Sequence, residues 1–267
     1  MERLDVLKSF KVDSIRVKIY ETILSVGQAA ANFVTSRINK AIDEKGKATI
    51  ILATGASQFT FLDALKRDNS IDWAKITVFH LDEYVGLSEN HPASFRRYLR
   101  ERILDEVKPG EFYFLNGDVN DIETEIARYE NLLKTNPIDV ACIGIGENGH
   151  IAFNDPPIAD FNDTKLVKVV ELDQVSRMQQ VGEGWFATID DVPKQALSLT
   201  IPAIMNAKTI SCVVPEERKA EPVYKTLYGP ICTDCPASIL RKHPDTILFL
   251  DRYSASKLPL DEIPNSH

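Results

Sequence analysis

Cysteine, long apolar runs and an excess of positive charge are scarce or missing in this sequence. Four cysteines among 267 residues are too few for the disulfide framework of a small secreted protein. No stretch supplies the ~20 consecutive apolar residues of a membrane-spanning helix, and we find no signal-peptide pattern at the N-terminus. The net charge of −8 argues against binding to nucleic acid or to an anionic membrane. We therefore expect a globular, cytoplasmic protein.

The cysteines that are present give little sign of metal or redox chemistry. Cys142 and Cys212 lie inside apolar runs, where a buried free thiol is the ordinary interpretation. Cys232 and Cys235 form a C-x-x-C pair, but no second pair or histidine cluster accompanies it. We therefore predict no metal site.

Apolar runs of strand length alternate with segments of helical period along the chain. The sequence predicts strands over residues 15–20, 48–53, 76–81, 112–115, 140–145, 166–172, 209–214 and 246–250. It predicts helices over residues 26–42, from Phe59, from Phe95, over residues 122–133, from Pro193 to Met205 and over residues 217–227. This alternation favours parallel pairing with right-handed crossovers. We predict that residues 1–267 form a single α/β domain of Rossmann-like type, a doubly wound, mostly parallel sheet with helices on both faces.

Three predicted loops carry most of the polar side chains that are candidates for chemistry. They follow predicted strands and span Thr54–Ser57, Asp82–Leu87 and Gly146–Asp155. In open α/β sheets, ligands bind at the carboxyl ends of the strands. If these strands are neighbours, the three loops meet at one edge of the sheet, and we expect the functional site there.

The loop Thr54-Gly55-Ala56-Ser57 separates a predicted strand from a predicted helix. A glycine there lets backbone N–H groups face outward, and the N-terminus of the following helix favours an anion. Ser57 is equally suited to cap that helix, so an anion cradle and a plain capped turn are both open interpretations. Lys219 lies at the start of another predicted helix and would complete a phosphate site if it met this loop.

Asp82 and Glu83 directly follow a predicted strand. Adjacent side chains on a strand point to opposite sides, so only one of the two carboxylates can face a given substrate. Taken alone, these residues favour a solvated strand end over a functional carboxylate. A functional interpretation needs support from elsewhere in the chain.

His150 is the sharpest candidate for proton transfer. It follows a glycine-punctuated turn at the end of the strand predicted over residues 140–145. Asn148, Asn154 and Asp155 surround it in sequence with hydrogen-bonding groups, and Asp155 is near enough to orient the ring and hold its tautomer. We expect the other histidines to be structural or solvated.

Together, these segments resemble the glucosamine-6-phosphate deaminase (isomerase) family, within the 6-phosphogluconolactonase-like superfamily. In the family's order, the resemblance is carried by ATGAS at 53–57, LDEYVGL at 81–87, HPASF at 91–95, GIGENGHIAFNDP at 144–156, DVPKQALS at 191–198, RKAE at 218–221 and PASIL at 236–240. The combination of the LDEY and GHIAFN segments is highly specific. The ATGAS loop alone is a weak sign.

The resemblance implies an enzyme of amino-sugar catabolism. Such an enzyme converts glucosamine 6-phosphate, or a related amino-sugar 6-phosphate such as galactosamine 6-phosphate, to a ketose 6-phosphate and ammonia, without metal or organic cofactor. Its partner is a small-molecule sugar phosphate, and the question of a homo-oligomer stays open. The implied roles are proton transfer between C2 and C1 by Asp82, ring opening by His150 with Asn148 and Asp155 beside it, and phosphate binding by Thr54, Gly55, Ala56, Ser57 and Lys219.

Three departures from the family pattern bear on that expectation. Asp155 stands where a glutamate is usual and is shorter by one methylene, a change of ~1.5 Å in reach. Asn148 stands at a position that is often aspartate and cannot be a charged partner for His150. The segment 176–186 replaces an arginine-containing stretch, and Arg177 is its candidate for a phosphate-binding arginine.

Two other functions are compatible with parts of the sequence. A 6-phosphogluconolactonase shares the fold and a similar glycine-rich turn before its histidine, but lactone hydrolysis needs no base at C2. A non-catalytic sugar-phosphate sensor is the second alternative. Sensors of this type usually carry a DNA-binding helix, and the first ~45 residues contain no basic recognition helix.

Overall fold

Strands that are buried along their whole length form the centre of the protein. The computed structural model describes residue 4 and residues 6–262. The strands are β1 Val6–Val12, β2 Ile15–Tyr20, β3 Ala48–Leu52, β4 Ile76–His80, β5 Asp82–Tyr84, β6 Glu111–Phe112, β7 Val140–Ile143, β8 Val167–Glu171, β9 Gln195–Leu199, β10 Thr209–Val214 and β11 Thr246–Asp251. The helices are α1 Ile23–Lys45, α2 Phe59–Lys66, α3 Phe95–Leu99, α4 Asp105–Val107, α5 Ile122–Thr135, α6 Gln174–Gly182, α7 Ile201–Met205 and α8 Ala220–Tyr228, with a π-helical stretch Arg100–Leu104 and short 3₁₀ turns between them.

The main sheet has eight strands in the order β1-β2-β11-β10-β7-β3-β4-β6. Every neighbouring pair is parallel except β1 with β2. The predicted α/β fold with a mostly parallel sheet is confirmed. The chain runs outward from β3 through β4 to β6 and returns to β7 on the other side of β3. Such a reversal of strand order opens a crevice at the carboxyl ends of the central strands.

Helices cover both faces of this sheet, as expected for a doubly wound fold. Side chains alternate along β3, so that Ile50 belongs to the apolar cluster under α1 and α2 while Ile51 belongs to the cluster on the opposite face. Helix α1 begins after Thr22, whose side chain accepts a hydrogen bond from the Ser25 N–H at 3.1 Å. Within residue 4 and residues 6–262, no helix has the length and apolar character needed to cross a membrane.

A second, antiparallel sheet with strand order β5-β9-β8 corrects two predictions. The helix predicted from Pro193 to Met205 is wrong, because Gln195–Leu199 is a strand paired on both sides. Only α7 is helical there; it begins after Thr200, whose hydroxyl caps the Ala203 N–H. Asp82 also does not start a loop, since β5 follows β4 after a single residue. Strand β1 was not predicted.

Glu83 on β5 is fully buried, and the prediction of a solvated strand end is wrong. Its carboxylate accepts hydrogen bonds from the Ser94 hydroxyl at 2.7 Å and from the backbone N–H groups of Phe95 and Arg96 at 3.2 and 3.0 Å. The Arg96 guanidinium donates a further bond at 3.2 Å, and both side chains are at most 3% exposed. This buried pair ties the start of α3 to β5 and thereby positions the neighbouring Asp82.

We predict that Arg96→Met destabilises the protein by about 3–5 kcal/mol, because it leaves the buried charge of Glu83 without its partner. The measurement is the free energy of unfolding from urea denaturation. Lys40→Met is the control: its ion pair with Glu44 is exposed on α1, at 61% and 64% exposure, and we expect a change within about 0.5 kcal/mol. Equal, small changes in the two variants would contradict the anchoring role.

Candidate active site

A polar pocket opens at the carboxyl edge of the main sheet, where the loops after β3, β4 and β7 meet. Thr54, Gly55 and Ser57 come from the first loop, Asp82 from β5 and His150 from the turn after β7. Lys219, which follows β10, also lines the pocket. The structure thus brings together most of the predicted site residues, although they are far apart in sequence.

Hydrogen bonds to one ring nitrogen hold His150 in place. Its Nδ1 lies 2.8 Å from the side-chain oxygen of Asn148, 2.9 Å from Asp155 Oδ1 and 3.0 Å from the Ser176 hydroxyl oxygen. These neighbours are acceptors or can act as acceptors, so the network assigns the proton to Nδ1. The described residues give Nε2 no hydrogen bond, and it is free to exchange a proton with a ligand in the pocket.

Gly146 is required for this placement of the His150 ring. A Cβ at position 146 would lie 2.1–2.4 Å from three atoms of the imidazole. No side chain fits there unless the ring moves. The glycine therefore lets the turn close directly over His150.

The side chain of Asp155 is long enough to contact His150, although it is shorter than the usual glutamate. Its Oδ1 reaches His150 directly and also accepts hydrogen bonds from Asn148 Nδ2 at 3.0 Å and from the Ser176 hydroxyl. The residue is fully buried. Burial acts to raise its pKa, but the contacts with His150, Asn148 and Ser176 outweigh this and lower the pKa to about 2. Asp155 is therefore a permanent negative charge behind the ring.

Asp82 faces the pocket on the side of β5 opposite to Glu83, as alternation along a strand requires. It is only 7% exposed. Burial, together with the negative charge of Glu83, raises the pKa of Asp82 to about 8. A carboxylate in this state is a stronger base than an exposed one when it is ionised.

The loop after β3 and Lys219 form the remaining wall of the pocket. Gly55 has φ +102°, which only glycine adopts without strain, and its carbonyl accepts a hydrogen bond from the Tyr98 hydroxyl at 2.8 Å. Lys219 is 2% exposed. Burial and the nearby charge of Arg218 lower the pKa of Lys219 to about 8, against the opposing effect of nearby glutamates.

Not every predicted residue lies at the pocket surface. Asn148 and Asp155 lie behind His150 and do not line the pocket, and neither does Ala56. Arg177 points elsewhere: its guanidinium donates to the carbonyl oxygens of Ile189 and Val192. These contacts hold the segment after α6, and the structure does not bring Arg177 to the loop after β3.

Sequence reasoning missed the polar side chains that α6 and the residue after it contribute. Ser176 bridges His150 and Asp155, while Gln179, Gln180 and Glu183 line the pocket. The sign of this contribution in the sequence is the number of polar residues in the short segment SRMQQVGEG, residues 176–184. Its position against the pocket depends on tertiary packing.

Fold and site together define an α/β protein with an acid–base pocket at the carboxyl edge of a parallel sheet. The family model described as glucosamine-6-phosphate isomerases/6-phosphogluconolactonase matches residues 22–248. The chain belongs to this family.

Relatives and solved structures agree with this assignment. A glucosamine-6-phosphate deaminase of Listeria monocytogenes is 38% identical over 221 residues, which cover 83% of this chain and 92% of the relative. One of Exiguobacterium sibiricum is 40% identical over 210 residues, covering 79% and 81%. The structure of a monomeric glucosamine-6-phosphate deaminase superposes with a TM-score of 0.81 at 34% identity, covering 90% of this chain and 98% of the other. A 6-phosphogluconolactonase of Shewanella baltica, at 20% identity and a TM-score of 0.73 over 88% and 97% of the two chains, shares the fold.

We predict that Asp155→Asn lowers the free energy of unfolding at pH 7 by on the order of 2–3 kcal/mol. The pKa of Asp155 is about 2 in the folded protein and ~3.9 in an unfolded chain. The depressed pKa therefore contributes stability above pH ~4 that disappears as the pH falls toward ~2. Urea denaturation at several pH values measures the difference between the variant and the native protein.

Asp43→Asn serves as the matched control, because Asp43 is an exposed carboxylate on α1. We expect this variant to differ little from the native protein at any pH. A stability difference for Asp155→Asn that did not shrink between pH ~4 and ~2 would contradict the assigned charge state.

Proposed function

We propose that the protein is an aldose–ketose isomerising deaminase. Its substrate is glucosamine 6-phosphate, or a related amino-sugar 6-phosphate such as galactosamine 6-phosphate, and its products are a ketose 6-phosphate and ammonia. The observation that carries the proposal is one pocket containing a buried carboxylate of raised pKa, Asp82, and a histidine with a free Nε2, His150. The relatives described above are named for the same activity.

His150 is proposed to open the sugar ring. The closed pyranose hides the carbonyl that acidifies C2, so the ring must open first. Nε2 can accept the proton of the anomeric hydroxyl and return one to the ring oxygen, while Asp155 stabilises the transient imidazolium from the Nδ1 side. Asn148 and Ser176 position the ring through the same nitrogen.

Asp82 is proposed as the base for the isomerisation. It removes the C2 proton and returns it to C1 by way of an enolamine. The amino nitrogen gives up one proton and the C1 oxygen gains one, which leaves a hydroxymethyl group at C1 and a ketimine at C2. Water then hydrolyses the ketimine to the ketone and releases ammonia. No step needs a metal or an organic cofactor, and the roles of acid and base are filled by side chains of this chain.

The phosphate group is proposed to bind at the loop after β3. Thr54, Gly55 and Ser57 line the pocket there, Ala56 completes the loop, and the cation of Lys219 lines the same pocket. Anchoring the phosphate fixes the reacting carbons against Asp82, which is how positioning contributes to the rate. Arg177 is not part of this proposal, because its guanidinium is bound to backbone carbonyls.

A lactonase of the same fold is the second candidate. Hydrolysis of a lactone uses an activated water molecule and no base at C2. Asp82, a buried carboxylate of raised pKa, supplies the base that the deaminase reaction needs at C2. Incubation with each substrate, with detection of ammonia and of acid, separates the two activities.

We further propose that residues 1–267 act as one cytoplasmic domain on a small-molecule substrate, without nucleic acid. The acidic net charge of −8 supports this.

We predict that Asp82→Asn lowers kcat for ammonia release by about 100- to 10,000-fold, the usual contribution of a general base. Asparagine has nearly the same shape and cannot accept the C2 proton. The measurement is ammonia and fructose 6-phosphate formation from glucosamine 6-phosphate, with near-ultraviolet circular dichroism as the check on folding. Near-normal turnover by the folded variant would remove Asp82 from the mechanism.

We also predict a bell-shaped pH dependence of kcat/KM with its maximum near the pKa values of Asp82 and Lys219, both about 8. Activity rises with pH as Asp82 loses its proton and falls at higher pH as Lys219 loses its charge. Lys219→Arg keeps the charge at all pH values measured and should remove the descending limb. A profile in native protein that is flat between pH ~6 and ~9 would contradict both assignments.

A further inference from the structure

A carboxylate lies in the part of the pocket where the phosphate is proposed to bind. Glu183 follows α6 directly and lines the pocket together with Gly55, Ser57 and Lys219. Its side chain is only 6% exposed. Its Oε2 lies 3.8 Å from the point that a Cβ on Gly55 would take. None of the roles proposed above uses this charge.

Three neighbouring side chains hold Glu183 in its ionised form. Arg218 Nη1 lies 3.1 Å from Oε1, Gln179 donates a hydrogen bond to Oε1 at 2.9 Å, and the Trp185 indole N–H donates to Oε2 at 3.2 Å. Burial acts to raise the pKa of Glu183, but the charge of Arg218 and these contacts, with that of Lys219, lower it. Glu183 therefore offsets part of the positive charge of Arg218 and Lys219.

A phosphate bound at the loop after β3 would lie close to this carboxylate. Two negative charges about 4 Å apart repel each other, and burial strengthens the repulsion. Arg218 does not depend on Glu183 for its charge balance, because it also contacts Glu147 at 2.8 Å and Glu216 at 2.6 Å. Glu183 can therefore move away without leaving Arg218 unpaired.

We propose that Glu183 is a displaceable counter-ion of the anion-binding loop. The phosphate of the substrate takes its place beside Gly55 and Lys219, so that Glu183 sets the affinity of the pocket for phosphorylated ligands. The inference rests on the proposed function only in taking the substrate's anion to be a phosphate. It also gives the segment 176–186 a role in place of the expected arginine, because the cation that lines this pocket is Lys219.

The indole of Trp185 reports on the displacement without any turnover. The chain has two tryptophans, so Trp73→Phe leaves Trp185 as the single emitter. Titration of this protein with inorganic phosphate is expected to change the Trp185 emission, because the hydrogen bond to Glu183 breaks as phosphate binds. Phosphate binding detected by calorimetry with no change in Trp185 emission would overturn the proposal.

Glu183→Gln tests the charge itself, with Glu147→Gln as the matched control. Both substitutions remove a carboxylate from Arg218, but Glu147 does not line the pocket. We expect calorimetry with inorganic phosphate to give a Kd at least about tenfold lower for Glu183→Gln and a clearly smaller change for Glu147→Gln. Equal tightening in both variants, or weaker binding in Glu183→Gln, would show that Glu183 does not compete with phosphate.

Kinetics with glucosamine 6-phosphate separate this inference from the proposed function. Displacement predicts that Glu183→Gln lowers KM without raising kcat. A collapse of kcat with unchanged phosphate affinity would instead make Glu183 a residue that touches the sugar, and would overturn the inference. Absence of turnover in the native protein would refute the deaminase proposal, whereas the phosphate titrations would still decide the role of Glu183.

Discussion

The buried carboxylate of Glu83 is the constraint on which the geometry of the pocket depends. It satisfies the first N–H groups of α3 and pairs with Arg96, so it joins that helix to β5 in the interior. A strand sends successive side chains to opposite sides, and anchoring Glu83 therefore turns Asp82 toward the pocket. Burial raises the pKa of Asp82, and the negative charge of Glu83 raises it further. Glu83 therefore sets the direction of the Asp82 side chain and contributes to its basicity.

The charge states of the other ionisable side chains at the pocket depend on their charged neighbours. Asp155 is held ionised behind His150, Glu183 is held ionised by Arg218, and the pKa of Lys219 is lowered by its burial and by Arg218. Asp155 and Glu183 each have a partner of the chain itself, His150 and Arg218. In the proposed displacement, the phosphate of a substrate takes the place of Glu183 among these contacts.

Much of the fold was predictable because its central strands are apolar on both faces and β2 alternates apolar with charged residues. The runs at Ile15–Tyr20 and Thr209–Val214 have the predicted bounds, and β3, β4 and β7 differ from prediction only by one or two residues at their ends. The segment Gln195–Leu199 was misread because Pro193 resembles a helix start, whereas pairing with β5 and β8 makes it a strand. Local pattern cannot report such pairing, since the partners lie far away in sequence.

The glycine-rich turn with His150, the LDEY segment and the apolar alternation were enough to establish the α/β class and the family resemblance. They are local features, because the structure that each can form depends on residues close to it in sequence. Burial and distance decided the rest: that Asp155 reaches His150 despite its shorter side chain, that Arg177 bonds to backbone carbonyls away from the pocket, and that Glu183 lies beside Gly55. Each of these depends on segments brought together by packing, and the energy of a charged group is set by what surrounds it in space.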